Sequence, residues 1–191
     1  MGRQSISKNK RRKIALSDKI VSSSKSVISD KDADDKNSGL IKISAGDVIY
    51  NRFEVLRKCG QGTFGTVLSC YDKNKQKKVA IKAIRSVRRY LKSADIEIKI
   101  LEKIYKADLH DDSLCVKLRK SFTDHVHGRR HKFIVFEKLG CSLYDFISQN
   151  NYKGFSLRHV KEFSYQILKA VRFCHRMNLI HTEFFLILKP Y

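Results

Sequence analysis

The sequence predicts an α+β fold: a five-stranded antiparallel sheet with one long helix, followed by a region built from helices. Three observations predict it. Alternating runs on either side of a glycine-rich turn, Gly60 to Gly65, read as paired strands. An apolar stripe at helical spacing crosses residues 89–106, and after Gly140 the periodicity stays helical.

In chain order, residues 1–39 are rich in Ser, Lys and Asp, with too little apolar content to offset the entropy of ordering, and read as a disordered basic tail. Residues 53–59 and 66–71 are strands flanking the glycine turn, hence a hairpin, and 77–84 is a third strand. Its alternation places Val79 and Ile81 on one face and Ala80 and Lys82 on the other. In the helix at 89–106, Tyr90, Ala94, Glu97, Ile100, Leu101 and Ile104 share a face. Residues 115–122 and 131–137 are two further strands around a His/Gly/Arg turn. A short helix follows at 142–149, and Ser156 caps a long one in which Val160, Phe163, Ile167, Leu168, Val171 and Cys174 recur at helical spacing. The expected domains are the tail at 1–39, a small lobe at 40–139 and the start of a larger helical lobe at 140–191.

With 40 Lys and Arg against 19 Asp and Glu, the formal charge is +21, which favours phosphate-rich partners through long-range attraction. The cations recur along the whole chain rather than in one patch, so a nucleic-acid-binding module is the less favoured reading. Within the tail, Lys8-Asn9-Lys10-Arg11-Arg12-Lys13 is a compact basic run of the nuclear-import type. No apolar stretch approaches the ~20 residues that span a bilayer, so no membrane partner is expected. The five cysteines are scattered without a Cys-x-x-Cys pair, as expected of free thiols in an intracellular chain. His125, His127 and His131 surround Gly128 without a cysteine or carboxylate cluster, and no metal site is expected there.

The chemistry gathers in three places. Gly60-Gln61-Gly62-Thr63-Phe64-Gly65 joins strand to strand, whereas the glycine loop of a dinucleotide fold joins strand to helix. Such a hairpin brings backbone N–H groups close to phosphates without side-chain clash. Lys82 shares a strand face with the small Ala80 and points beneath the hairpin, while Glu97 lies in the apolar stripe of the helix. A buried carboxylate there needs a cation, and Lys82 is the natural one. Third, Phe133 to Gly140 is an apolar strand opening into a polar segment, suited to an adenine edge, with Asp145 placed to reach a ribose hydroxyl. A plain tight hairpin, a structural ion pair and a simple core strand are the bland alternatives.

Together these residues resemble the eukaryotic protein kinases and, within them, the LAMMER or Cdc-like dual-specificity kinases. The subfamily likeness rests on Gly46-Asp47-Val48, on Ile134-Val135-Phe136-Glu137-Lys138-Leu139-Gly140, on Tyr144-Asp145-Phe146-Ile147 and on His181-Thr182. The resemblance implies a kinase small lobe binding ATP, with Gly60, Gln61, Gly62, Thr63, Phe64 and Gly65 over the phosphates and Lys82 joining Glu97 to the α- and β-phosphates. Val67, Ala80 and Leu139 would line the adenine pocket, Phe136 would be the gatekeeper, and the Glu137 and Leu139 backbones would form the hinge. It further implies transfer of the γ-phosphate to protein Ser, Thr or Tyr, with Arg/Ser-rich splicing factors as substrates and the nucleus as location.

Two departures stand out. Cys59 precedes the first glycine, where the family usually carries a branched aliphatic residue. The family then expects His-Thr-Asp-Leu-Lys-Pro-Glu-Asn, whereas this chain reads His181-Thr182-Glu183-Phe184-Phe185-Leu186-Ile187-Leu188-Lys189-Pro190. Glu183 stands in the place of the catalytic aspartate, Phe185 in that of the lysine and Leu188 in that of the metal-binding asparagine. The Mg²⁺ expected for the family has no ligands in this chain, which is therefore expected to be a truncated, catalytically incomplete kinase. A non-catalytic pseudokinase fragment that binds nucleotide or serves as a scaffold is the alternative.

Overall fold

The computed structural model describes residues 39–180. Six antiparallel strands form one sheet in the order β1-β2-β3-β4-β6-β5. They are β1 (Val48–Ile49), β2 (Phe53–Gly62), β3 (Gly65–Asp72), β4 (Lys77–Ile84), β5 (Leu118–Val126) and β6 (Arg129–Glu137). The helices among these residues are α1 (Arg88–Ala107), between β4 and β5, then α2 (Leu143–Gln149) and α3 (Leu157–Arg176).

The sheet has one strand more than the five predicted. β1 is two residues long and pairs Val48 with Glu54 and Ile49 with Phe53. Its outer residue is exposed and its inner residue, Ile49, is buried, a pattern too short to register as alternation. β2 also runs three residues past Cys59, because the ladder continues into the glycines through Gly60–Val67, Gln61–Thr66 and Gly62–Gly65 pairs. Register shifts between Val55 and Arg57 and between Lys58 and Gly60 mark irregularities at Leu56 and Cys59. Bulges of this kind bend and twist a strand, and from Leu56 to Phe64 the chain is exposed.

One face of the sheet packs Phe53, Val55, Leu68, Cys70, Val79, Ile81, Phe133 and Val135 with Ile41 and Ile49. Phe122 stacks between Phe53 (5.6 Å) and Phe133 (5.1 Å) within this layer. The other face receives α1: Ala94 and Ile98 bury against Ile84 and Ile134, flanked by Tyr90, Leu91, Leu101 and Phe136. Of the face read from the sequence, Tyr90, Ala94 and Leu101 pack here; Ile98, which that face left out, is buried, while Ile100 and Ile104 are half-buried.

Two buried polar groups tie these layers. Arg52 donates to both carboxylate oxygens of Asp72 at 2.7 Å, and Asp72 also accepts from the Asn74 and Lys75 N–H groups at 3.1 and 3.2 Å, closing the β3–β4 turn. His131, placed by the sequence at the edge of the basic turn where the strand begins, is a buried β6 residue whose Nδ1–H donates to the Ile84 carbonyl oxygen at 2.9 Å. His125 and His127 are exposed.

Ser142 and Asp145 form a reciprocal capping box at the start of α2, and Ser156 accepts from the His159 N–H at the start of α3. Phe155 joins the two helices, with ring centroids 5.3 Å from Phe146 and 5.2 Å from Phe163. No residue of α3 is buried, and Leu157 and Leu168 are among its exposed apolar side chains.

Candidate functional site

Lys82 sits centrally in the sheet, paired across β3 with Val67 and across β6 with Ile134. Because β4 alternates, its side chain leaves the sheet on the α1 face. There its Nζ donates to both oxygens of Glu97, each at 2.8 Å. The sequence brought the two together by treating Glu97 as a buried acid in need of a cation, and the structure corrects that cause. Side-chain exposure is 26% for Lys82 and 37% for Glu97, so desolvation does not force the pair. The packing of Ala94 and Ile98 on Ile84 and Ile134 sets α1 over the sheet, and that placement delivers Glu97 to Lys82.

The three glycines of the hairpin differ in what they permit. A Cβ built on Gly65 would lie 2.1 Å from the Ala83 carbonyl oxygen, so here glycine allows close approach of two backbones. At Gly60 and Gly62 a Cβ would meet nothing within 4 Å. No protein atom therefore requires glycine at these two positions, and their bare backbone leaves room for another molecule against the hairpin. At the tip, Phe64 makes an edge-on contact with Tyr90 of α1 at 5.7 Å, and the Arg85 N–H donates to the Phe64 carbonyl at 3.0 Å. The sequence did not foresee this latch, although Tyr90 was already on the stripe facing the sheet.

At the far end of the cleft, Ala80 pairs with Phe136, and Val79 with Glu137. The Glu137 carboxylate turns towards β5, accepting the Lys117 N–H at 2.9 Å and lying 3.5 Å from Arg119. The next turn is held by Lys138, whose Nζ donates to the Leu139 carbonyl at 2.7 Å. That contact takes up the carbonyl and not the N–H of Leu139. Asp145 is engaged locally: its carboxylate accepts from the Ser142 N–H (3.1 Å) and hydroxyl (2.8 Å). These bonds hold it below the usual carboxylate range. Reaching a ribose would require breaking its capping box.

The structure thus brings together the hairpin from Gly60 to Gly65, Val67, Ala80, Lys82, Glu97 and the segment from Phe136 to Leu139. Glu183 and the basic run from Lys8 to Lys13 lie outside the described residues. Among the described residues no group of three or more His, Cys, Asp or Glu is placed to hold a metal ion. No described helix is long and apolar enough to cross a membrane. A cavity of about 400 Å³ lies elsewhere, between Phe146, Phe155 and His159.

A strand lysine held by a helix glutamate beneath a glycine hairpin, beside a strand that opens into a polar segment, is the arrangement of a protein-kinase small lobe. Comparison with known sequences agrees: the protein kinase domain matches residues 53–184, and the chain belongs to that family. It is 43% identical over 157 residues to the serine/threonine-protein kinase AFC1 of Arabidopsis thaliana, covering 82% of this chain and 32% of the relative. It is 39% identical over 178 residues to the serine/threonine-protein kinase Doa of Drosophila melanogaster, covering 93% and 20%. Against the human dual specificity protein kinase CLK1 it is 37% identical over 161 residues, covering 84% and 32%. These are the LAMMER-type kinases that the sequence motifs resemble, and the chain spans less than two-fifths of the length of any of the three.

Proposed function

We propose that this chain binds ATP in the groove between the glycine hairpin, the Lys82–Glu97 pair and the segment from Phe136 to Leu139, and that it serves transfer of the γ-phosphate to protein Ser, Thr or Tyr. The observation that carries the reading is the Lys82 ammonium, fixed by two 2.8 Å bonds to Glu97 on the face below the hairpin. Held in that way, its charge stays directed at one place and offers a preformed counter-charge to the α- and β-phosphates. The bare backbone at Gly60 and Gly62 fits the same ligand, because phosphate oxygens can approach N–H groups that a side chain would screen. Ala80, small and directly opposite Phe136, would leave width for a flat base, and the Leu139 N–H would supply an edge contact. ATP acts with magnesium in this family; among the described residues no group of three or more His, Cys, Asp or Glu is placed to hold the ion.

As substrates we propose Arg/Ser-rich splicing factors, and as location the nucleus. The likeness to the LAMMER-type kinases supports the first, and the basic run Lys8-Asn9-Lys10-Arg11-Arg12-Lys13 the second. Replacing Lys10, Arg11 and Arg12 by Ala in a fluorescent fusion should move the protein out of the nucleus; unchanged nuclear signal rules the run out as an address.

The test of ATP binding is a thermal-shift titration with ATP, with and without Mg²⁺. The melting temperature should rise with nucleotide and stay flat in Lys82→Ala; no rise in the parent chain overturns the proposal. A second reading, nucleotide binding without transfer, is favoured by Glu183, Phe185 and Leu188 at the positions where the family carries Asp, Lys and Asn. A glutamate is one methylene longer, and a misplacement of about 1 Å costs roughly a hundredfold in rate. Labelled γ-phosphate transfer to an Arg/Ser-rich peptide, sensitive to Lys82→Ala, supports the enzyme; ATP stabilisation with no transfer supports the binding module.

A further inference from the structure

We propose that Cys115 and Cys174 are a redox-sensitive pair that closes to a reversible disulfide, tying the loop behind α1 to α3. Their sulfurs lie 4.0 Å apart, although 59 residues separate them in the chain. By sequence the cysteines are scattered; the fold makes these two neighbours. Both are thiols and both are half-buried, so a small oxidant has access to them.

The contact is held from both sides by the backbone. On the loop side, Asp108 is buried and its carboxylate accepts from the Ser113 N–H at 3.1 Å and hydroxyl at 2.5 Å. The Ser113 hydroxyl oxygen in turn accepts the Cys115 N–H at 3.0 Å. On the helix side, Cys174 lies in the last turns of α3, and its carbonyl accepts the N–H groups of Met177 and Leu179 at 3.0 and 2.9 Å. A disulfide bond is about 2.05 Å long, so the sulfurs need to close by only about 2 Å. The remaining cysteines are placed differently. Cys59 and Cys141 are exposed, and Cys70 is sealed in the sheet core with its thiol pushed up to about 12 by burial.

The chemistry needs a two-electron oxidant, and hydrogen peroxide is the class proposed. One thiolate attacks the peroxide O–O bond, which breaks to give a sulfenic acid and hydroxide. The second thiol then attacks the sulfenic sulfur, forming the S–S bond and releasing water. Overall, two thiols and one peroxide give one disulfide and two waters. With the two sulfurs in contact, whichever is oxidised first has the other beside it as the resolving thiol. A small thiol such as glutathione reverses the bond by exchange.

Closing a loop of 59 residues restricts the unfolded chain strongly, and the oxidised form should melt roughly 10 °C higher than the reduced one. The experiment treats the full chain with hydrogen peroxide, alkylates remaining thiols under denaturing conditions and maps unreduced peptides by mass spectrometry. Expected is one intrachain Cys115–Cys174 cross-link, removed by glutathione, absent in Cys115→Ser and Cys174→Ser and retained in Cys59→Ser. Over-oxidation of Cys115 without a cross-link, a bond through other cysteines, or linkage between chains overturns the proposal. The map of the unsubstituted chain decides the question even where a serine variant fails to fold.

Discussion

Gly65 and Ala83 meet so closely that a Cβ on the glycine would stand 2.1 Å from the alanine carbonyl oxygen, whereas Gly60 and Gly62 face open space. The sheet therefore requires one glycine of the hairpin and does not require the other two. Gly65→Ala should cost about 3 kcal/mol in chemical denaturation, the cost of forcing two backbones apart in a packed layer. Gly60→Ala and Gly62→Ala should change stability by no more than about 0.5 kcal/mol and instead weaken ATP binding. Equal loss of stability in all three variants would refute the division.

The exposure of the Lys82–Glu97 pair has an energetic corollary. At 26% and 37% side-chain exposure the pair is screened by solvent, so a double-mutant cycle in Lys82→Ala and Glu97→Ala should yield a coupling to folding of about 0.5 kcal/mol. Nucleotide-induced stabilisation should nevertheless disappear in both single variants. A coupling of several kcal/mol in the nucleotide-free protein would restore the buried-charge explanation read from the sequence.

Arg52 and Asp72 behave in the opposite way. The Asp72 side chain is 3% exposed and receives both guanidinium bonds together with two turn N–H groups. Asp72→Ala strands all of these donors and should destabilise by about 3 kcal/mol, read as a lower urea midpoint with unchanged slope.

Acid should unfold the small lobe in two steps. Burial lowers the His131 pKa against the raising influence of its Ile84 bond, with Arg129 lowering it further. The unfolded chain thus takes up this proton first, and the stability held above the ordinary value of about 6.5 is lost as pH falls below it. The Arg52 bonds lower the Asp72 pKa, so its contribution is present above about 3.8 and lost further down, through the folded-state value. Melting temperatures measured from pH 8 to 2 should show both steps, and His131→Asn, which keeps a donor for Ile84, should lack the first. A flat profile between pH 7 and 5 in the parent chain would contradict the assignment.

Much of this was legible in the chain. The period-two alternation around Val79, Ile81 and Lys82 placed the strand faces, and the strand-to-strand setting of Gly60 to Gly65 gave the hairpin. Ser142 and Ser156 announced their helix starts. What escaped depends on distance or on brevity. β1 is too short for a pattern, and the irregularities at Leu56 and Cys59 leave no residue signature. The exposure of Glu97 depends on how α1 lies across the sheet, which Ile98 decides, and the meeting of Cys115 with Cys174 exists only after folding. Asp145 shows a different limit: its Ser-x-x-Asp spacing suits a capping box as well as a ribose contact, and the structure uses it for the cap.

The Phe64–Tyr90 contact links the hairpin tip to the N-terminal turn of α1. Raising the tip to admit a ligand drags on the same helix that carries Glu97, so ligand entry and alignment of the ammonium below are not separate events. A fluorophore at position 63, which leaves the Phe64 ring in place, should therefore respond to movements of the helix as well as of the hairpin.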